Sequence, residues 1–265
     1  MIRLVALVGA TLLVGVGTGC DLELPSEHVL DRTRLLAARS DPAQPAVGDV
    51  VSISSYAWSP SGPPMVVWCL PTGCDPTDPG VAEAAALSDP LSEEAGELRG
   101  HLADVGIIGV EPGLPVMAPA YDVGDGSMVL LAFAVPPEGN DIEEATLTLP
   151  LRVDDAAPNL HPRIASVRMD DDPVDDIVLA PEAEALLTVD LDPLAEEELD
   201  DDADVQWFTT VEESQGGGPG GRPGGFLGDD SLTLSSESKH QGVVVVVVRD
   251  GRGGVDWREL PVVVR

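Results

Sequence analysis

Apolar residues are distributed along this chain in two unlike ways. At the start stands one block, residues 4–16, with Met1-Ile2-Arg3 ahead of it and Gly17-Thr18-Gly19-Cys20 behind. Everywhere else they form short runs broken by Pro, Gly, Asp and Ser: 35–38, 50–56, 66–70, 105–110, 128–135 and 145–153. After Asp154-Asp155-Ala156-Ala157-Pro158 the same grammar restarts at 164–169, 177–180, 185–191, 205–210, 231–235, 242–248 and 257–264. Runs of roughly four to eight residues, rich in β-branched types and bounded by turn formers, are strands, and a succession of them predicts an all-β sandwich. Residues 81–102 are the exception, because Ala-rich and Glu-rich segments there follow Asp89-Pro90. With Asp as cap and Pro as first helical residue, they predict one short helix inserted in the first half. The pattern therefore divides the chain into a leader (1–19), a tether (20–32), a first sandwich (33–154) and a second (158–265).

The halves repeat one another, as a duplicated module would. Met65-Val66-Val67-Trp68 matches Asp204-Val205-Gln206-Trp207, residues 128–135 match 242–248, and Leu147-Thr148-Leu149-Pro150-Leu151-Arg152-Val153 matches Arg258-Glu259-Leu260-Pro261-Val262-Val263-Val264. A Pro at one place in both final strands predicts an edge or a bulge, since Pro cannot donate to a central ladder. Trp68 and Trp207 sit in matching apolar strands and are expected in the cores. The six valines 243–248 predict a strand buried on both faces or at a sandwich centre.

Asp190-Leu191-Asp192-Pro193, the Val205-Gln206-Trp207 strand, and the valines running into Arg249-Asp250-Gly251-Arg252-Gly253-Gly254 resemble PKD-like domains, where a strand precedes a similar Asp-Gly hairpin. On these residues the chain looks like the tandem immunoglobulin-like or PKD-like modules of bacterial cell-surface lipoproteins. That resemblance implies two immunoglobulin-like β-sandwiches in tandem. The second module departs from it where a long acidic loop replaces a compact Asp-Gly-Asp turn.

The leading apolar block is too short for a bilayer span of roughly 20 residues and has the layout of a secretory signal. Its small residues before Cys20, followed by Asp21-Leu22-Glu23-Leu24-Pro25-Ser26, resemble the lipobox of bacterial lipoproteins. The resemblance implies cleavage before Cys20, its lipidation, and a membrane-anchored protein of the cell envelope facing periplasm or cell surface. Gly17 departs from the branched aliphatic residue usual there, and an ordinary signal peptide with an incidental Cys stays open. Asp21 resembles an inner-membrane retention signal, so either membrane remains a candidate.

Composition narrows the partners. The 265 residues are 43% hydrophobic but only 3% aromatic, with a net charge of -33. Nucleic-acid binding is excluded, since it needs clustered Lys and Arg. The charge is spread evenly: six basic and 23 acidic residues precede position 158, eight basic and 24 acidic follow. Two solvated acidic surfaces are expected rather than an acidic tail. With Cys20 assigned to lipid, Cys69 and Cys74 remain as a pair, expected in an exported chain to form a disulfide across a turn.

Residues 169–204 hold 16 acidic residues and no Lys or Arg. Asp190 and Asp192 would share one face of a strand, and Asp200, Asp202 and Asp204 alternate like the start of a calcium loop. An EF-hand fails, because Val205 and Val211 stand where its Gly and bidentate Glu belong. A sandwich-loop calcium site is one reading; a solvated acidic loop is the other, because carboxylates about 6 Å apart in water repel by under ~1 kcal/mol. Gly216-Gly217-Gly218-Pro219-Gly220-Gly221 lacks the strand, helix and acidic residue that a dinucleotide loop needs. No catalytic motif is present, and His28, His101, His161 and His240 are scattered, with His161 and His240 expected on the surface. These features together predict a non-enzyme without cofactor, calcium excepted. Its two sandwiches would be displayed for structural, adhesive or scaffolding contact with a protein or polysaccharide.

Overall fold

The computed structural model describes residues 29–120, 126–152, 159–192, 204–211, 215–216 and 231–265. Cys20, Asp200, Asp202 and all of the Gly-rich loop except Gly216 lie outside them. The fold is all-β with two sandwiches in tandem, as the strand pattern predicts.

In the N-terminal sandwich, β1 (Arg34–Asp41), β2 (Val50–Trp58) and β5 (Met117–Pro119) form one antiparallel sheet in the order β1-β2-β5. The facing sheet has the order β4-β3-β6-β7, built from β3 (Met65–Cys69), β4 (Ile107–Glu111), β6 (Ser127–Val135) and β7 (Glu143–Pro150). Val51 and Ile53 of β2 meet Val66, Trp68, Met128, Leu130 and Leu149 between the sheets. Strand β3 reads as continuously apolar because it is buried on both faces. Its Val66 and Trp68 enter that core, while Val67 and Cys69 face outward under the helices α1 (Pro79–Ala85) and α2 (Glu93–Asp104). Val81, Ala84, Ala95 and Leu102 cover them.

Two helices stand where the sequence predicts one, and neither begins at Asp89-Pro90. An earlier Asp-Pro pair, Asp78-Pro79, starts α1: Asp78 caps it by accepting from Gly80 N at 2.8 Å, with Pro79 as first residue. For α2 the cap is Ser92, whose Oγ accepts from Ala95 N at 3.1 Å, with Glu93 and Glu94 beside the positive helix end. Asp89 instead holds the turn between them, accepting from Leu91 N and from the Ser92 hydroxyl. The Cys69–Cys74 disulfide is formed, with Cα atoms 5.9 Å apart. It staples the exit of β3 into the helical insertion, and the turn packs on the end of α2 through the bond from Leu70 N to Gly106 O. Gly113 is obligatory: at φ +111° a Cβ would lie 2.2 Å from Ala84 O.

The C-terminal sandwich pairs two more sheets. One has the order β13-β14-β11-β8-β9, from β8 (Ile164–Met169), β9 (Asp172–Val174), β11 (Glu184–Leu191), β13 (Gln215–Gly216) and β14 (Ser231–Ser235). The other has the order β10-β16-β15-β12, from β10 (Ile177–Leu179), β12 (Asp204–Thr209), β15 (His240–Arg249) and β16 (Val255–Val264). Val167, Leu187, Trp207, Leu232, Val246 and Leu260 lie between them. In strand order β8-β11-β14-β13 against β12-β15-β16 is the ABED and CFG arrangement of the immunoglobulin fold, with Trp207 buried on strand C. The N-terminal sandwich repeats it: β3-β6-β7 pair as β12-β15-β16 do, and Trp68 is the equivalent, fully buried Trp.

The repeated prolines close the comparison. Pro150 ends β7, an edge strand. Pro261 lies opposite Val243, whose N–H and C=O both turn to Thr210, so no ladder bond is lost there. On its other side β10 covers β16 only from Val262 onward.

Candidate functional site at the seam between the sandwiches

The valine strand carries the junction. Val244, Val246 and Val248 point into the C-terminal core, whereas Val245 and Val247 point outward. The outward pair, with Phe208 and Val255, is covered by Leu30, Leu36 and Ala37 of the N-terminal half, with Tyr56, Trp58 and Trp257 at the margin. The sequence predicts burial on both faces or a place at a sandwich centre; both faces are buried, and the second is an intramolecular seam. Strand β1 fits there because of a β-bulge: Leu35 pairs with Ala57 and Ala37 with Tyr56, so Leu36 is an extra residue. Leu36 and Ala37 thereby face the seam together, while Leu35 and Ala38 pack on their own core.

Polar contacts frame this apolar layer. Arg39 Nη1 lies 3.4 Å from Asp256 Oδ1, and its guanidinium stacks 4.8 Å from the centre of the Trp257 ring. Arg249 Nη2 donates to Leu36 O at 2.8 Å and Nη1 to Gln206 Oε1 at 2.7 Å; burial opposes its charge and Asp204, at 3.9 Å, supports it. The Tyr56 hydroxyl bonds Glu259, and burial, then that carboxylate, push the phenol well above its ordinary pKa. His161, expected on the surface, bridges the halves instead. Its Nδ1 accepts from Val255 N at 3.1 Å, which places the ring proton on Nε2, 2.8 Å from the Ser40 carbonyl.

The Asp-Gly hairpin also serves the seam. Asp250, 2% exposed, accepts from Arg252 N and Gly254 N at 2.8 Å and from Asn159 Nδ2 at 2.6 Å. The turn so shaped brings Gly253, at φ +97°, against the N-terminal sandwich, where a Cβ would lie 2.9 Å from Pro150 and 3.0 Å from Ala43 O. A cleft of about 600 Å³ opens beside it, between residues 35–38, the edge of β7 and the 251–255 turn. The first described residues belong here as well: Val29 bridges Thr209, Leu30 N donates to Thr209 O at 2.7 Å, and Leu30 is 3% exposed.

Of the acidic candidates, Asp190, Asp192 and Asp204 are described, and each is engaged separately. Asp190 is held by the Arg168 guanidinium and the Ser166 hydroxyl, which together keep its carboxyl below the usual carboxylate range. The bulge opposite Asp190 and Leu191 falls on β8, where Ala165 is the extra residue, and β11 keeps its alternation, with Leu187, Val189 and Leu191 toward the core and Asp190 away from it. Asp192 N donates to Arg163 O, and Asp204 stands beside Arg249 in the other sheet. Among the described residues no group of three or more His, Cys, Asp or Glu converges on one point, and no helix is long and apolar enough to cross a membrane.

A second opening, unmarked in the sequence, lies at Glu111. It is a groove of about 440 Å³ between Ser54, Ser55, Tyr56 and Ala57 of β2 and the 111–115 turn, walled by Pro64, Pro112 and Pro115. The Glu111 carboxylate accepts from the Ser55 hydroxyl and Ser55 N–H. Burial raises its pKa; Ser55 and the indole N–H of Trp68, which is near but outside hydrogen-bond geometry, oppose that rise. No Lys, Arg or His forms an ion pair with it among the described residues.

No protein-family model matches the chain, and no curated protein matches it. Among solved structures, the Ig1-2 module of the Drosophila receptor protein tyrosine phosphatase DLAR is 16% identical with a TM-score of 0.32, over 88% of this chain and 99% of that one. The D00-D0 domain of intimin is 14% identical with a TM-score of 0.27, over 86% and 100% of the two chains. The fibronectin(III)-like modules of Clostridium thermocellum CbhA give 13% and 0.27, over 86% and 94%. At such scores these likenesses add nothing to the fold described from the strand order.

Proposed function

We propose that this chain is a non-enzymatic, lipid-anchored protein of the cell envelope that displays two joined immunoglobulin-like sandwiches as an adhesive or scaffolding element. The observation that carries this reading is the seam. Independent binding modules on a flexible string need no shared core, whereas here an apolar layer, a cation–π stack and a bridging histidine hold the two sandwiches in one orientation. Full burial of one Val, Leu or Phe contributes about 1.5–3 kcal/mol, so the apolar layer is a major part of what holds the pair together. Such a body presents its surfaces at fixed spacing.

Anchorage through Cys20 would attach the molecule at this seam, because Leu30 is built into it. The eight residues 21–28 span at most roughly 28 Å when fully extended, so both sandwiches would lie close to the bilayer. Lipidation is tested by labelling expressing cells with an alkyne fatty acid and fractionating them. The wild-type chain is expected labelled in the membrane fraction and the Cys20→Ala chain unlabelled and released; an unlabelled, soluble wild-type chain would overturn the anchor.

A calcium-holding role for residues 170–204 is the competing reading. The Arg168–Asp190 pair weighs against it, since a calcium ion recruiting Asp190 must first displace a guanidinium already bonded there.

A further inference from the structure

Strand β2 has an incomplete partner on one side. Strand β5 pairs only with Val50, Val51 and Ser52, and among the described residues no strand continues along 53–58. At this edge the odd-numbered residues turn outward, as Asp49 O shows by accepting from Ala120 N; the Ser55 N–H turns the same way and is taken by Glu111, so an added strand would pair there through Ser55 O and through Ile53 and Ala57. The floor of the groove is therefore a strand edge, and set into it is a carboxylate with no ion-paired Lys, Arg or His among the described residues. Partly burying an anion without a counter-charge is costly, and a cation entering from outside recovers part of that cost in a half-buried groove. The proline walls offer an apolar path for an aliphatic stem, as the long side chains of Lys and Arg require.

We propose that this groove takes an extended basic segment of a partner protein, which adds as a strand along residues 53–58 of β2 and places an Arg or Lys head on Glu111. Strand addition gives affinity through the main chain, and the pocket beside the edge selects the side chain. A chain with net charge -33 also favours a cationic visitor at long range. This inference names a partner class for the display role above and rests on that role. The assay uses purified protein, so its failure leaves anchorage and the seam untouched.

The test is fluorescence anisotropy of a labelled, end-blocked Thr-Val-Arg-Val-Thr peptide titrated with the full-length protein in detergent. Three changes are compared: citrulline for the peptide Arg, N-methylation of the peptide backbone on one edge, and Glu111→Gln in the protein. Saturable binding is expected, weakened about tenfold or more by each change, as loss of a charge-assisted hydrogen bond or of paired main-chain bonds implies. The peptide changes leave the protein intact, and a single cooperative melting transition for Glu111→Gln shows that this variant folds. Absence of saturable binding, or binding indifferent to citrulline, to N-methylation or to Glu111→Gln, would overturn the proposal.

Discussion

Glu111 shows what a single residue's surroundings do to its chemistry. Its proton is held more tightly in the folded chain than in the unfolded one, since burial raises the carboxyl pKa. The folded state therefore binds more protons than the unfolded state between the ordinary carboxylate value and the raised one, and stability contributed there is lost as pH rises through that window. Glu111→Gln removes this dependence, so denaturant melts across the acid-to-neutral range should show the variant gaining stability over wild type as pH rises. A constant difference between the two would contradict the assigned cause. Asp190 has the opposite sign. Its pKa is lowered, chiefly by the Arg168 bond, so what it adds is present above the unfolded value and fades as pH falls. Trp68 and Trp207 were legible as core residues because each sits in an apolar strand. Glu111 and His161 were not, because one acidic residue at a strand end and one isolated histidine carry no periodic signal. Their roles come from what the other half of the chain, or another sheet, brings to them.

Elements were the most readable level. Every major strand run found in the sequence became a strand, because short β-branched runs between turn formers have few other ways to be buried. The helical insertion was read as one element because Asp89-Pro90 has the right residues for a cap; Ser92 wins with Glu93 and Glu94 behind it. The double burial of β15 was legible, while the identity of its second partner was not, since alternation says which residues share a face and not what covers it. This division is testable on the two faces of β15, one packed in its own core and the other covered by β1. Val246→Ala should cost roughly 2 kcal/mol within the C-terminal core, whereas Leu36→Ala should cost about 2–5 kcal/mol by opening the seam. Chemical denaturation gives both numbers, and native-state hydrogen exchange locates them: Leu36→Ala should deprotect the amides of β1 together with those of β15. Protection changes confined to the N-terminal sandwich would refute the seam. Gly253→Ala should cost about 1–3 kcal/mol from its positive φ and its contact with Pro150.

For the whole molecule, the charge and the seam set the behaviour. Forty-seven acidic residues against 14 basic ones repel, and the two sandwiches stay together because their contact is chiefly apolar and salt has little hold on it. Calcium should matter little by comparison: the melting temperature is expected to be the same in millimolar calcium and in chelator, and a rise with calcium would revive the acidic-loop reading. The duplication itself was visible in the sequence, but two modules in a row read the same whether joined loosely or fused. Scanning calorimetry of the full-length protein separates these cases most directly. A fused pair predicts one cooperative transition whose calorimetric and van't Hoff enthalpies agree; two resolved transitions, one for each sandwich, would contradict it.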